Sequence, residues 1–447
     1  MKRILASIAV SVSLLGCSAG SQSDKQISGT SCNELGQFQR MPEKGVETEF
    51  VCTQEGEKNV WRPIGDGGNG SGNDDESSSG SASSTSSLAM LGNGQCDSSS
   101  TVSKYSESIG DVSKMAYIYP LGGMLTTHIT PIDHIYIYYP QTSDDHSVAA
   151  GSYLVTSPAA GRVVNVEDFQ KNNNYPYPDY RVVIEHSCSL YTVFIHIGEL
   201  QGASKTWLET RQPVAVKAGE VVADDSYSPG YDFSTFDENL KLTGLLNLAS
   251  YSQTEQWKPF TANPFNYFPA NIKSQLEAKS LRVTAPFDGK MDWDLAGTAQ
   301  GNWFVAGSNG YAGLGSQAAS YDNHGKVARG YWDTHLAVAP DAVDDTAFIY
   351  SIGDWEGCPC QFMSVGNVDP KTIKAATIPT VISLVEFDGG KGTNPSKGYK
   401  LTPSSSVVGL LALQVMADGS MKVEKLPGVT SAEAFKGFSA NAVTYVR

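Results

Sequence analysis

From residue 96 onward, short β-branched and aromatic runs alternate with turns rich in Gly, Pro, Asn and Asp. Ile135-Tyr136-Ile137-Tyr138-Tyr139, Arg162-Val163-Val164-Asn165-Val166, Tyr180-Arg181-Val182-Val183-Ile184 and Leu190-Tyr191-Thr192-Val193-Phe194-Ile195 carry the side chains that suit a pleated, half-buried surface. They predict strands. Helical periodicity is confined to residues 270–278 and 431–435. A glycine-containing segment, 156–163, reads as a hairpin, and the β pattern continues through 281–290. The pattern predicts a mainly β protein, with a sheet or sandwich domain over 96–275 and a second sandwich or barrel over 276–447.

The first 95 residues follow a different pattern. Met1-Lys2-Arg3 precedes an apolar run over residues 4–15 that is too short for the ~20 residues of a membrane span. The run closes on Leu14-Leu15-Gly16-Cys17, which resembles the lipobox of bacterial lipoproteins. That resemblance implies a signal peptide over 1–16, a diacylated Cys17 as the new N-terminus and, with Ser18 after it, sorting to the outer membrane. Residues 17–64 then hold a small module with Cys32, Cys52 and Trp61, too short for a sizeable core and expected to need a disulfide staple. Residues 65–95 turn to Gly, Ser, Asn and Asp and predict a flexible linker.

The chain has 447 residues and 40% hydrophobic content, enough for more than one core. A formal net charge of -15 disfavours nucleic acid as a partner. Setting Cys17 aside leaves six of seven cysteines, an even number that suits an oxidising compartment. The expected pairs are Cys32 with Cys52 and Cys96 with Cys188. Cys358-Pro359-Cys360 remains, either as a strained bridge or in a metal or redox role.

Four pieces carry candidate chemistry: His128-Ile129-Thr130-Pro131-Ile132-Asp133-His134; Ser157-Pro158-Ala159-Ala160-Gly161; Val182-Val183-Ile184-Glu185-His186 leading to Tyr191-Thr192-Val193-Phe194-Ile195-His196; and Lys217-Ala218-Gly219-Glu220-Val221-Val222. Their order resembles the lysostaphin/LytM-type zinc endopeptidase domain, which cleaves peptidoglycan cross-bridges, over about residues 115–240. The resemblance implies His128 and Asp133 as the first zinc-ligand pair, spaced by four residues rather than the family's three. His196 matches the histidine of the family's Y-x-H-L strand, and the resemblance implies a second hairpin at 214–222, where the family has V-x-x-G-x-x-V. Where the family has H-L-H-F-E, this chain has Tyr231-Asp232-Phe233-Ser234-Thr235, so Asp232 takes a histidine's place.

A set of His128, Asp133 and Asp232 is harder and more anionic than two histidines and a carboxylate and suits zinc less well. His134 and His196 are the remaining catalytic candidates, with His134 also readable as a hydrogen-bonded rim residue. The domain is therefore expected to be a non-catalytic peptidase-like fold, without a required cofactor, that binds peptidoglycan, a glycan or a protein partner. A zinc-dependent peptidoglycan endopeptidase with altered ligands and a purely structural surface lipoprotein are the alternatives. In the C-terminal half, Trp303, Trp332 and Trp355 read either as core or as a sugar-stacking platform. No Gly-x-Ser-x-Gly elbow, phosphate loop, dinucleotide fingerprint or calcium loop is present in the sequence.

Overall fold

A computed structural model describes residues 31, 38–43, 46–55, 58–63, 86–92, 94–140, 148–169, 177–314, 320–321, 327–389 and 395–447. Cys17, the signal segment, linker residues 65–85 and the Cys32–Cys52 pairing lie outside the described residues. The chain divides into two compact units, residues 1–80 and 81–447. In the first, β1 (Phe38–Glu43), β2 (Val46–Glu55) and β3 (Lys58–Pro63) form an antiparallel meander.

The second unit is built on a seven-stranded antiparallel sheet. Its strands are β4 (Tyr117–Tyr119), β5 (Ile135–Tyr138), β7 (Gly161–Asp168), β8 (Tyr180–Ser187), β9 (Leu190–Ile197), β11 (Val214–Val216) and β13 (Gly230–Asp237), in the order β11-β7-β8-β9-β13-β5-β4. A smaller sheet joins β6 (Leu154–Thr156), β10 (Glu199–Leu200) and β12 (Val221–Asp224). The four β-branched runs are thus strands. The two segments expected to be hairpins are arches instead: β6 leads into β7 and β11 into β12, yet β7 pairs with β11 and β6 with β12. The Ser157 N–H donates to the Glu220 carbonyl at 2.9 Å and the Gly219 N–H to the Ser157 carbonyl at 2.8 Å, stitching one arch to the other. A local pattern specifies the turn but not the partner.

Period-2 alternation sorts the main sheet's side chains onto two faces. Ile135, Ile137, Phe194, Tyr231 and Phe233 enter the principal core, joined by Ala203 and Trp207 of α1 (Gly202–Thr210) and Leu276 of α2 (Ala270–Lys279). On the opposite face, Val183, Tyr191, Val193 and Phe236 pack with Leu88 and Leu91. That packing corrects the linker boundary: the apolar Leu88-Ala89-Met90-Leu91 docks on the sheet, so the linker expected through residue 95 ends before Ser86. Helix α2 falls where periodicity places it, and 431–435 contains only a short 3₁₀ turn. Residues 281–290 are not a strand; they run beside β4, touching the sheet region at isolated bridges such as Leu121 with Gly289.

The C-terminal half closes into an eight-stranded barrel of β14 (Gly301–Val305), β17 (His335–Pro340), β18 (Phe348–Trp355), β19 (Cys358–Ser364), β20 (Thr380–Asp388), β21 (Thr402–Val415), β22 (Met421–Pro427) and β23 (Val443–Val446). A ribbon of β15 (Ser320–Tyr321) and β16 (Val327–Arg329) lies within the same stretch of chain. Side chains fill the barrel: Trp303, Leu336, Tyr350, Leu384 and Leu411 are buried in one cluster. Trp303, Trp332 and Trp355 are 0%, 6% and 6% exposed, which overturns the sugar-platform reading because their ring faces are consumed by packing. Trp303 donates to the Ala299 carbonyl, and Trp355 packs on Phe362. Cys96 and Cys188 are joined in a disulfide, while Cys358 and Cys360 are thiols two apart on β19, which removes the strained-bridge reading. Among the described residues, no helix is long and apolar enough to cross a membrane.

Candidate functional site

The sheet face opposite the principal core becomes polar where β5, β13 and β9 lie side by side. His134 immediately precedes β5 and shares the parity of Tyr136 and Tyr138, so it points to this face. On the central strand β13, Tyr231 and Phe233 point into the core, which leaves Asp232 and Ser234 on the polar side. Gly230 starts β13 with φ 153°, and a Cβ there would meet the Ile137 carbonyl oxygen at 1.9 Å; only glycine lets β13 approach β5 this closely.

His196 reaches the same face by a local irregularity. Alternation alone would turn it with Phe194 into the core. Tyr180 pairs with Ile197 and Val182 with Phe194, so Ile195 and His196 together oppose the single residue Arg181. His196 takes φ 62° at this bulge. A bulge of this kind re-aims a side chain, and here it brings the imidazole beside Asp232. His128 arrives from a tight turn in which Leu125 and His128 exchange backbone hydrogen bonds.

A cavity of about 160 Å³ is lined by His128, Asp133, His134, His196, Asp232 and Lys258. All five sequence-predicted candidates therefore meet at one place. The His134 Nδ1 lies 3.0 Å from Asp133 Oδ1, and its Nε2 faces Asp232 Oδ2 at 3.5 Å. The His196 Nδ1 lies 3.0 Å from Asp179 Oδ1, and its Nε2 is 3.9 Å from the same Asp232 oxygen. Two imidazoles, each held from behind by an aspartate, thus flank one carboxylate. Lys258 contributes the buried cation: its Nζ lies 3.2 Å from Asp133 Oδ2, 2.8 Å from Glu255 Oε2 and 4.8 Å from the centre of the Tyr311 ring.

Burial and charge work against each other here. Burial opposes the charge on Lys258, but the Asp133 and Glu255 carboxylates outweigh it and hold the ammonium above its usual pKa. Burial likewise opposes ionisation of Asp133, and Lys258 with His134 overcomes it, leaving the carboxyl well below the usual range. Because Asp133 is ionised, it accepts the Nδ1–H of His134. Burial pulls His134 and His196 down, and their aspartates raise both above the ordinary 6.5. Burial raises Asp232, partly offset by the two histidines, so a proton is readily shared among the three groups. His128 differs: its loss of solvation, followed by the charge of His134, lowers its pKa to about 3, so it is neutral at pH 7.

These contacts bear on zinc. Of the presumed set His128, Asp133 and Asp232, Asp133 is already committed to Lys258 and His134. Among the described residues, no group of three or more His, Cys, Asp or Glu side chains is placed to hold a metal ion. His128, Asp133 and Asp232 thus line one cavity, and a lysine ammonium pairs with the carboxylate that would lead a donor set. His134 and His196 remain chemically competent to accept, donate or hold a proton beside Asp232.

Asp179, Glu255, Lys258, Tyr311 and Tyr331 were not anticipated. Lys258 carried a signal, since Trp257-Lys258-Pro259-Phe260 sets a lysine among apolar residues. Tyr311 and Tyr331 come from the C-terminal half, so that half helps to wall the cavity. No protein-family profile matches the chain, and no curated protein sequence matches it.

Proposed function

We propose that this chain is a cell-envelope lipoprotein, anchored through Cys17 to the outer membrane, whose peptidase-like domain binds peptidoglycan, a glycan or a protein partner without hydrolysing it. The observation that carries the non-catalytic part is the commitment of Asp133 to Lys258 and His134. Hydrolysis by zinc requires three protein ligands and an open water position. Here the leading carboxylate is spent on an internal ammonium, and removing that ammonium would leave the buried Asp133 carboxylate without its cation. Export is supported by the basic start, the apolar run and Leu14-Leu15-Gly16-Cys17, and by the Cys96–Cys188 disulfide.

Purified full-length chain should sediment with isolated peptidoglycan, carry well under one zinc per chain and leave the wall undigested when zinc is added. Cys17→Ser should move the protein from the membrane to the soluble fraction. Chelator-sensitive wall cleavage, with stoichiometric zinc that disappears in His128→Ala and Asp232→Ala, would establish the peptidase instead. Failure to sediment with the wall would remove peptidoglycan as the ligand.

A further inference from the structure

We propose that the cleft around Asp232 binds the primary ammonium group of its ligand, a lysine-like or diamino-acid side chain, with His134 and His196 as the flanking acceptors; this rests on the reading of the domain as a binding fold. The starting observation is an unmatched atom. The His134 side chain is 9% exposed, yet its Nε2 has no hydrogen-bond partner and faces the cavity beside Asp232. With Nδ1–H given to Asp133, the Nε2 of the neutral ring is an acceptor. Asp232 Oδ2 is a second acceptor 3.5 Å away, and the His196 ring stands on its other side at 3.9 Å. A group that satisfies adjacent acceptors must bring several donors, and a compact cleft favours donors carried on one atom. An ammonium has three.

The charge balance selects the same chemistry. Asp133, Asp179, Asp232 and Glu255 surround the site, against Lys258 and Arg181. Lys258 is already matched by Asp133 and Glu255, and Arg181 by Glu167 at 2.6 Å. Among the described residues no lysine or arginine pairs with Asp232, which faces only the two imidazoles, and a ligand ammonium supplies the fixed positive charge. An anionic ligand would meet carboxylates whose counter-charges are taken.

The shape supplies the rest of the ligand class. A second cavity of about 200 Å³ shares His196 and Asp232 with the first and is lined by Tyr136, Tyr138 and Tyr177. A cavity lined by phenol rings and carboxylates suits an alkyl chain that ends in a cation, since ring faces attract both. The net charge of -15 favours approach of such a ligand.

The test uses the full chain in detergent and Nα-acetyl-lysine amide as probe, with Nα-acetyl-norleucine amide as the isostere lacking the ammonium. The lysine probe should bind saturably and the norleucine probe should not. Asp232→Asn and His196→Asn should each weaken binding at least tenfold while melting like the wild type. Equal binding of the two probes, no binding of the lysine probe, or binding unchanged in both variants would overturn the proposal. Stoichiometric zinc that excludes the amine would also overturn it, making the cleft a metal site.

A parallel arm sediments the protein with peptidoglycan before and after acetylation of the wall's free amino groups. Retention lost on acetylation supports the proposal. Binding of the lysine probe without retention on the wall leaves the ammonium site standing and removes the peptidoglycan reading, whereas retention without probe binding does the reverse.

Discussion

Lys258→Met should destabilise the protein by about 3–5 kcal/mol, measured by urea denaturation at pH 7. Methionine keeps the length and the apolar stem of lysine, so the loss is not a cavity effect. What changes is the company of two carboxylates. Asp133 is buried, and among the described residues its second oxygen has only Lys258; Glu255 is partly exposed and can turn to water. The penalty therefore falls on Asp133, an ionised group left in a desolvated site with one imidazole as partner. The contrast with the double variant isolates the cause. Lys258→Met with Asp133→Asn removes both charges and should recover at least about 1 kcal/mol of the loss, a non-additivity expected only of groups in direct contact. A single variant as stable as the wild type would mean that Asp133 is solvated and that the cation does not shape the site.

The same buried pair explains what the sequence made legible and what it concealed. The strands of the main sheet were readable because β-branched and aromatic runs report local fit to a pleated surface, and the sheet's core residues followed from their alternation. His128, Asp133, His134, His196 and Asp232 were readable as a group because each stands in or beside such a strand, and they do gather round one cavity. Their working relations were not readable. Lys258 lies 125 residues beyond Asp133 in the chain, and nothing in the local pattern of either shows that they meet. His196 reaches the cleft only through a bulge opposite Arg181, a register feature that no single strand reveals.

Long-range pairing also decided the arches at 156–163 and 214–222, where each turn was right in kind and wrong in partner. Helix α1 was missed because its nine residues lack a side-chain cap and are held by Ala203 and Trp207 packing on the sheet. The tryptophans of the barrel show the reverse problem. Aromatic content is the same for a core and for a binding platform, and only closure of the barrel decides between them.

Replacing Cys96 and Cys188 together by serine should cost about 4–5 kcal/mol and lower the melting temperature by roughly 6 °C, the first figure from loop-closure entropy and the second from the unfolding entropy of a chain this long. The bridge closes a loop with a sequence separation of 92, which is why the expected loss lies toward the upper end for a single disulfide. It joins the strand-poor segment after residue 94 to the turn between β8 and β9. That segment is also held by the Thr101–Ser187 bridge, by the Ser187 hydroxyl donating to the Val102 carbonyl at 2.8 Å, and by the Asp97 N–H donating to Glu185 at 2.7 Å. These tethers keep the folded state in place when the sulfurs are gone, so the variant should retain its fold and its ligand binding while the unfolded chain gains freedom. Melting of the wild type with and without reductant should reproduce the same difference. If the serine variant melts with the wild type, the loop-entropy account fails, and the hydrogen bonds around Ser187 would have to hold this segment in the unfolded ensemble as well.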